Sequence, residues 1–540
     1  MPKATGLRKL RGGLLAGLLA ITGSRAGHTA EIVLRLKEGG FEIAGTLSAF
    51  DGRIYRIETD AYGMLDLDAS RFDCTGVNCN RTDVTPAPSP SPSPALATDQ
   101  PARIAIHGST SIGTDLMPLL IRAYAATTKT ALTQMKGADP GAVAYTLETP
   151  DGREIARFDL QRRGSDSAFD ALSGGDAAIG MSDRAISDAE VQRLAAVAPQ
   201  IRTARHEHVL GLDGIVAVVS PKSAATALGL DAVARIFSGT IKDWSELGLP
   251  PGRIVVYAAS RETATFSLVD NLLLKPRRLA LTPDAVILGT PGEISEAVAQ
   301  DPAGIGMVPL ALAEPAKSLA LQSPCGIPAA PTAFALKSDE YPLSQRLYLY
   351  TTPRLEQPRA RDFLQFALSE AAQSAIAASP FVSQTPELAG AQSQTVRMAL
   401  AARQPIALAD AAQMRRLAAD AKGARRLSVT FRFAPSSAEL DEKSRQDVVR
   451  LSRHLLNPEF RGKTVLLLGF TDAIGSIPTN TALSLVRASQ VRAALLGSTG
   501  GGLDAQRIAA RGYGALAPVA CNDTADGLLL NRRVEVWIGD

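Results

Sequence analysis

At 540 residues the chain is longer than one hydrophobic core can organise, and about three folded units are expected. Apolar residues make up 46% of it and aromatics only 5%, so its cores must rest on Leu, Val, Ile and Ala. The formal net charge is +3 and no Lys/Arg block is interleaved with aromatics, which argues against nucleic acid as a partner.

The first residues read as an address. Lys3, Arg8, Lys9 and Arg11 precede the apolar run Gly12 to Thr22 and then small residues, the pattern of a secretory signal peptide over residues 1–30, cleaved after Ala26 or Ala30. The run is about half the length that spans a bilayer, so a membrane helix is the weaker reading and no transmembrane segment is expected in the mature chain. No Cys follows that could accept a lipid anchor.

Residues 31–83 alternate apolar and polar in short runs, EIVLRLK, FEIAGTLSAF, RIYRIET and MLDLD, separated by Gly39-Gly40, Asp51-Gly52 and Gly63. This spacing predicts a β-module of three or four antiparallel strands. Cys74 and Cys79 are close enough in sequence to close a small loop, and a disulfide between them is expected; with no nearby His they make a poor zinc set. Residues 84–101 contain TPAPSPSPSP, which can neither pair in a sheet nor continue a helix and reads as an extended linker.

From 102 to 388 short apolar strands alternate with helical segments, which predicts an α/β fold with helices on both faces of a sheet. Three polar loops, HGSTSIG (His107 to Gly113), RGSDSAF (Arg163 to Phe169) and GMSDR (Gly180 to Arg184), follow strands or precede helices. Helix N-termini with Ser, Thr and Gly can cradle an oxyanion there without much formal charge. His206 and His208 would share one side of a strand, read as an exposed strand face rather than a metal pair. Cys325 and Cys521 are left without an assigned state.

These loops, with GIVAVVSPKS, LDAVARIFSGTIKDWSEL, DPAGIGMVPLALA and FLQFALSEAAQSAIA, resemble the PstS-like periplasmic phosphate-binding proteins of ABC transport. The resemblance implies two α/β lobes joined by crossing strands, with Gly214–Ser220 and Tyr341–Tyr350 as the crossings and phosphate or a similar oxyanion in the cleft between them. It also implies ligand roles for Ser109 and Thr110 in the first loop, Ser165 in the second, and Ser182 with Asp183 in the third. Asp183 would accept a proton from phosphate, which an ionised sulfate cannot offer; a second reading makes it a helix cap. The fourth loop, YAASRETATF, departs from the family. Ala259 stands at the usual Arg and Ala264 at the usual Gly, which leaves the hydroxyls of Thr263 and Thr265, and Arg261 as a displaced cation.

Residues 389–426 form a connector whose part from Ala407 to Ala424 has helical composition and could pack on either neighbour. From 427 to 540 the central feature is a strand, Val465 to Gly469, a polar turn at Thr471, Asp472 and Gly475, and a helix signalled by Pro478 to Thr481. Asn480, Ser484 and Arg487 share one helix face, and Asp472 with Arg487 suits a zwitterion: the carboxylate for an ammonium, the guanidinium for a carboxylate. A structural salt bridge is the plainer reading of that pair.

The pattern TDxxGxxxxNxxLSxxRAxxV followed by NRRVEVW resembles the OmpA-like peptidoglycan-binding domain. That resemblance implies that Asp472 and Arg487 hold diaminopimelate of the peptidoglycan stem peptide, with Asn480 and Arg532 shaping the site. Phe470 stands where the family often has His, a change expected at the rim.

The whole is thus expected to be a multidomain α/β and α+β chain: a small β-module, a two-lobed periplasmic-binding-protein fold and a C-terminal OmpA-like α/β sandwich. The function expected is a non-enzymatic protein of the Gram-negative periplasm that binds an oxyanion and is anchored to peptidoglycan, with an ABC permease as the partner the first resemblance allows. No cofactor or metal is expected, and no nucleophile elbow or metal-spaced cluster points to an enzyme. The competing expectation is a structural wall-binding protein whose receptor-like domain has lost its small anion.

Overall fold

The protein is described by a computed structural model covering residues 31–36, 42–50, 52, 54–59, 63–69, 72–76, 79, 101–137, 139, 141–203, 205–261, 263–390, 408–433, 435, 437–440, 442–498 and 502–539. The expected signal peptide, nearly all of the Pro/Ser linker and residues 391–407 of the connector lie outside the described residues.

Among the described residues the N-terminal module has five strands, one more than its runs suggested: β1 (Glu31–Leu36), β2 (Glu42–Phe50), β3 (Ile54–Thr59), β4 (Gly63–Asp68) and β5 (Phe72–Thr75). They form one antiparallel sheet in the order β4-β3-β2-β1-β5. The additional strand β5 carries Cys74, which is bonded to Cys79.

The central region is built on a continuous eleven-stranded sheet that runs through two lobes. Strands Ala102–Gly108, Glu154–Arg162 and Ile179–Ser182 form the parallel heart of lobe one, and Val255–Ala259, Val286–Leu288 and Gly304–Pro309 that of lobe two. The crossing strands are Glu207–Val219 and Ser344–Thr351, paired antiparallel. The first begins seven residues before the expected Gly214 and is buried almost throughout, which explains its nearly unbroken apolar run. Each lobe has its own core, one centred on Ile104, Phe158 and Phe363, the other on Val216, Phe237 and Met307.

His206 and His208 are both buried, not on an exposed strand face. The strand edge that carries His208 is covered by the C-terminal domain: Gln446 accepts from the Val209 N–H at 3.2 Å and donates to the Glu207 carbonyl at 2.7 Å.

In the C-terminal domain four strands lie in the order Arg425–Arg432, Arg533–Gly539, Thr464–Phe470, Ile508–Gly512. Two long helices cover one face, Glu442–Leu455 (the docking helix) and Ile477–Ser498 (the clamp helix), with Leu451, Val491 and Leu495 in their shared core. The connector helix Leu408–Asp420 covers the other face through Leu417, packed with Phe470 and Trp537, so it belongs to this domain. Gly469 is required by close approach, since a Cβ there would lie 2.0 Å from the Ser484 carbonyl oxygen.

Three further features tie the domains together. Residues 387–389 add to the edge of strand Arg425–Arg432 through Ser428 N–H to Glu387 O and Ala389 N–H to Arg426 O, at 2.9 and 2.7 Å. Cys325 in lobe two is bonded to Cys521. The β-module packs on the clamp helix: Ile32, Leu34, Tyr55, Ile57 and Phe72 share one buried cluster with Ala438 and Val486.

Candidate functional sites

The cleft between the lobes begins where strand Ala102–Gly108 turns into the first long helix. Gly108 has φ +139° and a Cβ there would lie 1.9 Å from the Met181 carbonyl oxygen, so only glycine lets the first and third loops meet. They converge on Asp183. Its Oδ2 accepts from Ser109 Oγ at 2.9 Å and Ser111 Oγ at 3.4 Å, and its Oδ1 accepts from Ser165 Oγ at 2.6 Å. Its own N–H donates to Ser165 Oγ at 3.1 Å. The carboxylate therefore occupies hydroxyl donors beside the N-terminus of helix Ser165–Gly174.

The sequence-derived residues separate in this structure. Thr110, Ser165, Asp183 and Thr263 line the cleft. Ser109 is fully buried behind the lining, where its hydroxyl reaches Asp183. Ser182 is also fully buried and donates to the Arg184 carbonyl at 2.6 Å. Thr263 caps the short helix Ala264–Val269, accepting from Phe266 N–H at 3.1 Å and donating to Ser260 O at 2.7 Å. Thr265 is buried, and Arg261 rests over the Phe266 ring at 5.4 Å. Asp183 caps no helix here; the next helix is capped by Ser187.

Cations near the cleft are engaged by carboxylates. Arg184 pairs with Asp166 and with Glu190, Arg163 with Asp139 at 3.2 Å, and Arg346 with Asp339 at 3.0 Å. Burial works against ionisation of Glu190, but the hydrogen bonds from Arg184 and Ser187 outweigh it and hold that carboxyl at about 2.

Three contributors were missed in the sequence. Ser111 belongs to the loop already singled out. Asp213 lies in the crossing strand and lines the cleft; burial, aided by the charges of Asp183 and Asp115 and opposed by the Gly214 N–H, pushes its carboxyl up to about 7. A lone carboxylate in the run VLGLDGIVAVV was the available signal. The third contributor is the C-terminal domain, whose helix Ala525–Asn531 (the cleft helix) brings Asp526, Leu529 and Leu530 to the same cavity. No signal within the sequence indicates that docking.

The second candidate site lies at the end of strand Thr464–Phe470. Asp472 Oδ1 accepts from the Ile474 N–H at 2.9 Å, and its Oδ2 pairs with Arg532 at 2.7 Å. Asn480 Nδ2 reaches the Asp472 carbonyl at 3.5 Å. Arg532 also donates to the Phe433 carbonyl at 3.2 Å, while Arg487 lies 5.1 Å from the centroid of that ring and donates to the Ser437 carbonyl at 2.8 Å. Arg487 and Arg532 thus meet at Phe433, Arg532 joins them to Asp472 and Asn480, and all four are at most 8% exposed. The clamp helix begins at Ile477, one residue before the Pro478 of the start signal, with the Ser476 hydroxyl accepting from Thr479 N–H at 3.3 Å. Phe470 is buried under the Arg533 guanidinium, 4.1 Å from its ring centroid, and so belongs to the core and not to a rim.

Residues 100–371, just over half the chain, match the family model described as a PBP superfamily domain, and residues 432–532 match the OmpA family. The phosphate-binding protein PstS of Borreliella burgdorferi is 22% identical over 188 residues, covering 34% of this chain and 67% of that protein. Outer membrane protein A of Bordetella avium is 43% identical over 76 residues, 14% of this chain and 38% of its own length, so the chain spans well under half of that relative. A solved ABC-type phosphate transport receptor from Vibrio cholerae aligns at 20% identity and a TM-score of 0.40, covering 52% of this chain and 99% of that one. The chain belongs to the PBP superfamily, through a PstS-type domain, and carries an OmpA-family domain at its C-terminal end.

Proposed function

We propose that this is a non-enzymatic protein of the Gram-negative periplasm that binds phosphate or a similar oxyanion between its lobes and holds peptidoglycan through its OmpA-family domain. The observation that carries the first half is the convergence of the Ser109, Ser111 and Ser165 hydroxyls on Asp183. An entering oxyanion takes over the serine donors, and a proton it still carries is donated to Asp183, which is left without them. A fully ionised anion has no such proton and leaves the carboxylate facing like charge. In the second half, Asp472 and Arg487, shaped by Asn480 and Arg532, take the amine and carboxylate of diaminopimelate. An ABC permease is the partner that release of a carried anion implies.

The test is calorimetric titration of the full chain with phosphate, with sulfate as control and Asp183→Ala for comparison, together with sedimentation on purified peptidoglycan sacculi. Phosphate heat that sulfate does not reproduce and the variant loses supports the receptor; retention lost in Arg487→Ala supports the clamp. A competing reading, a wall-binding protein whose cleft has lost its anion, is favoured by one observation. Ala259, buried, supplies no cation where the family has Arg, and Arg163, Arg184 and Arg346 are all paired. Absence of any phosphate heat from the folded chain selects it.

A further inference from the structure

The cleft is not shaped for a bare tetrahedral anion. Its cavity is about 1010 Å³. At ~30 Å³ per water-sized group, a five-atom oxyanion fills on the order of 150 Å³. Receptors of two lobes ordinarily remove such excess by closing. Here closure is opposed, because the C-terminal domain is fastened to both sides. On lobe one the docking helix holds the edge of the crossing strand through Gln446, with both amide atoms bonded to backbone. On lobe two Cys325 is bonded to Cys521, Arg426 pairs with Glu340 at 2.6 Å, and Arg432 donates to the Ser338 carbonyl at 2.5 Å.

The lining also divides by chemistry. Thr110, Ser111 and Ser165 supply hydroxyls at one end, around Asp183. Leu272 of lobe two and Leu529 of the cleft helix supply apolar surface, with the core residue Leu268 behind them, and Leu529 is 44% exposed although it belongs to this cavity. Apolar surface left open in a concave site is where an organic ligand gains most from burial.

We propose, building on the oxyanion reading above, that the cleft takes an organic oxyanion, of the phosphate monoester class. Its charged head meets the serine hydroxyls and its apolar body lies against Leu272 and Leu529. The C-terminal domain is then part of the ligand site as well as an anchor, and Leu529 is a specificity-determining residue.

The experiment is calorimetric titration of the full, oxidised chain with inorganic phosphate and with hexyl phosphate, repeated on Leu529→Ser. Burying several methylenes gives a gain of about tenfold or more for hexyl phosphate over phosphate. Leu529→Ser, a change at a half-exposed position, is expected to remove most of that gain. Equal affinities, or tighter binding of phosphate, overturn the organic-ligand proposal while the oxyanion reading stands. An unchanged preference in Leu529→Ser overturns the part assigned to the C-terminal domain. If neither compound binds, the oxyanion reading fails and this proposal fails with it.

Discussion

Cys325 of lobe two is covalently joined to Cys521 of the OmpA-family domain across a sequence separation of 196 residues. The bond closes a long loop that contains the second crossing strand, the connector and most of the C-terminal domain. Removing it releases chain entropy in the unfolded state, an effect that in practice is worth about 2–4 kcal/mol. The Cys325→Ser/Cys521→Ser double variant should therefore melt several degrees below the parent by calorimetry under non-reducing conditions. Equal melting temperatures would mean that the hydrogen bonds and ion pairs across the interface suffice without the bond.

Asp213 makes stability depend on pH in an unusual direction. Its carboxyl is raised in the fold, chiefly by burial, from 3.8 to about 7. Between those values the folded state holds a proton that the unfolded chain has released, so stability falls as pH rises through the window and stays reduced above it. The shift corresponds to at most about 4 kcal/mol. Asp213→Asn removes the dependence: it should melt several degrees higher than the parent at pH 8 and nearly together with it at pH 4. A variant that is no more stable at pH 8 would show that the carboxylate finds compensation inside the cleft.

Glu535 is the acidic centre of the C-terminal sheet. Fully buried, it accepts from Arg533 Nε at 2.7 Å and Trp537 Nε1 at 3.0 Å, and Arg426 Nε lies 3.5 Å away. Both guanidiniums are also out of solvent, at 0 and 1% exposure; Glu535→Ala takes from Arg533 the carboxylate bonded to its Nε and leaves Arg426 with Glu340, at 2.6 Å, as its facing carboxylate. A loss of about 3–5 kcal/mol is expected in urea unfolding. Glu439→Ala is the control, because the Glu439–Arg445 pair is about half exposed and should be worth under about 1 kcal/mol. Similar losses in the two variants would refute the role given to Glu535.

What could be read from the residues follows physical range. The strands of lobe one, the start of helix Ser165–Gly174 and the Asp472 turn are set by neighbours in sequence, through periodicity, caps and glycine, and were legible. The Cys325–Cys521 bond, the cover over His208 and the arrival of Leu529 in the cleft all depend on one domain docking on another. No local pattern encodes a docking geometry. Asp472 shows the same limit at short range: its partner in the fold is Arg532, from the far end of the domain, which a reading of the helix face alone could not supply.

The placement of the β-module bears on wall binding. Its buried cluster reaches Ala438 and Val486, the immediate neighbours of Ser437 and Arg487, whose hydrogen bond lies at the centre of the proposed clamp. Strand β4 also runs along the clamp helix. Arg487 is 0% exposed and Asp472 7%, so a stem peptide cannot reach both in this arrangement. If the module is what closes the clamp, the free energy of its packing is subtracted from peptidoglycan binding. Ile57→Asp places a charge in that apolar contact and should loosen it whether or not the module itself stays folded. The full-length variant is therefore expected to sediment with sacculi several-fold more than the parent, and Arg487→Ala added to it should abolish the gain. Retention that is unchanged or lower in Ile57→Asp would mean that the module does not obstruct the clamp and forms part of the wall-binding surface itself.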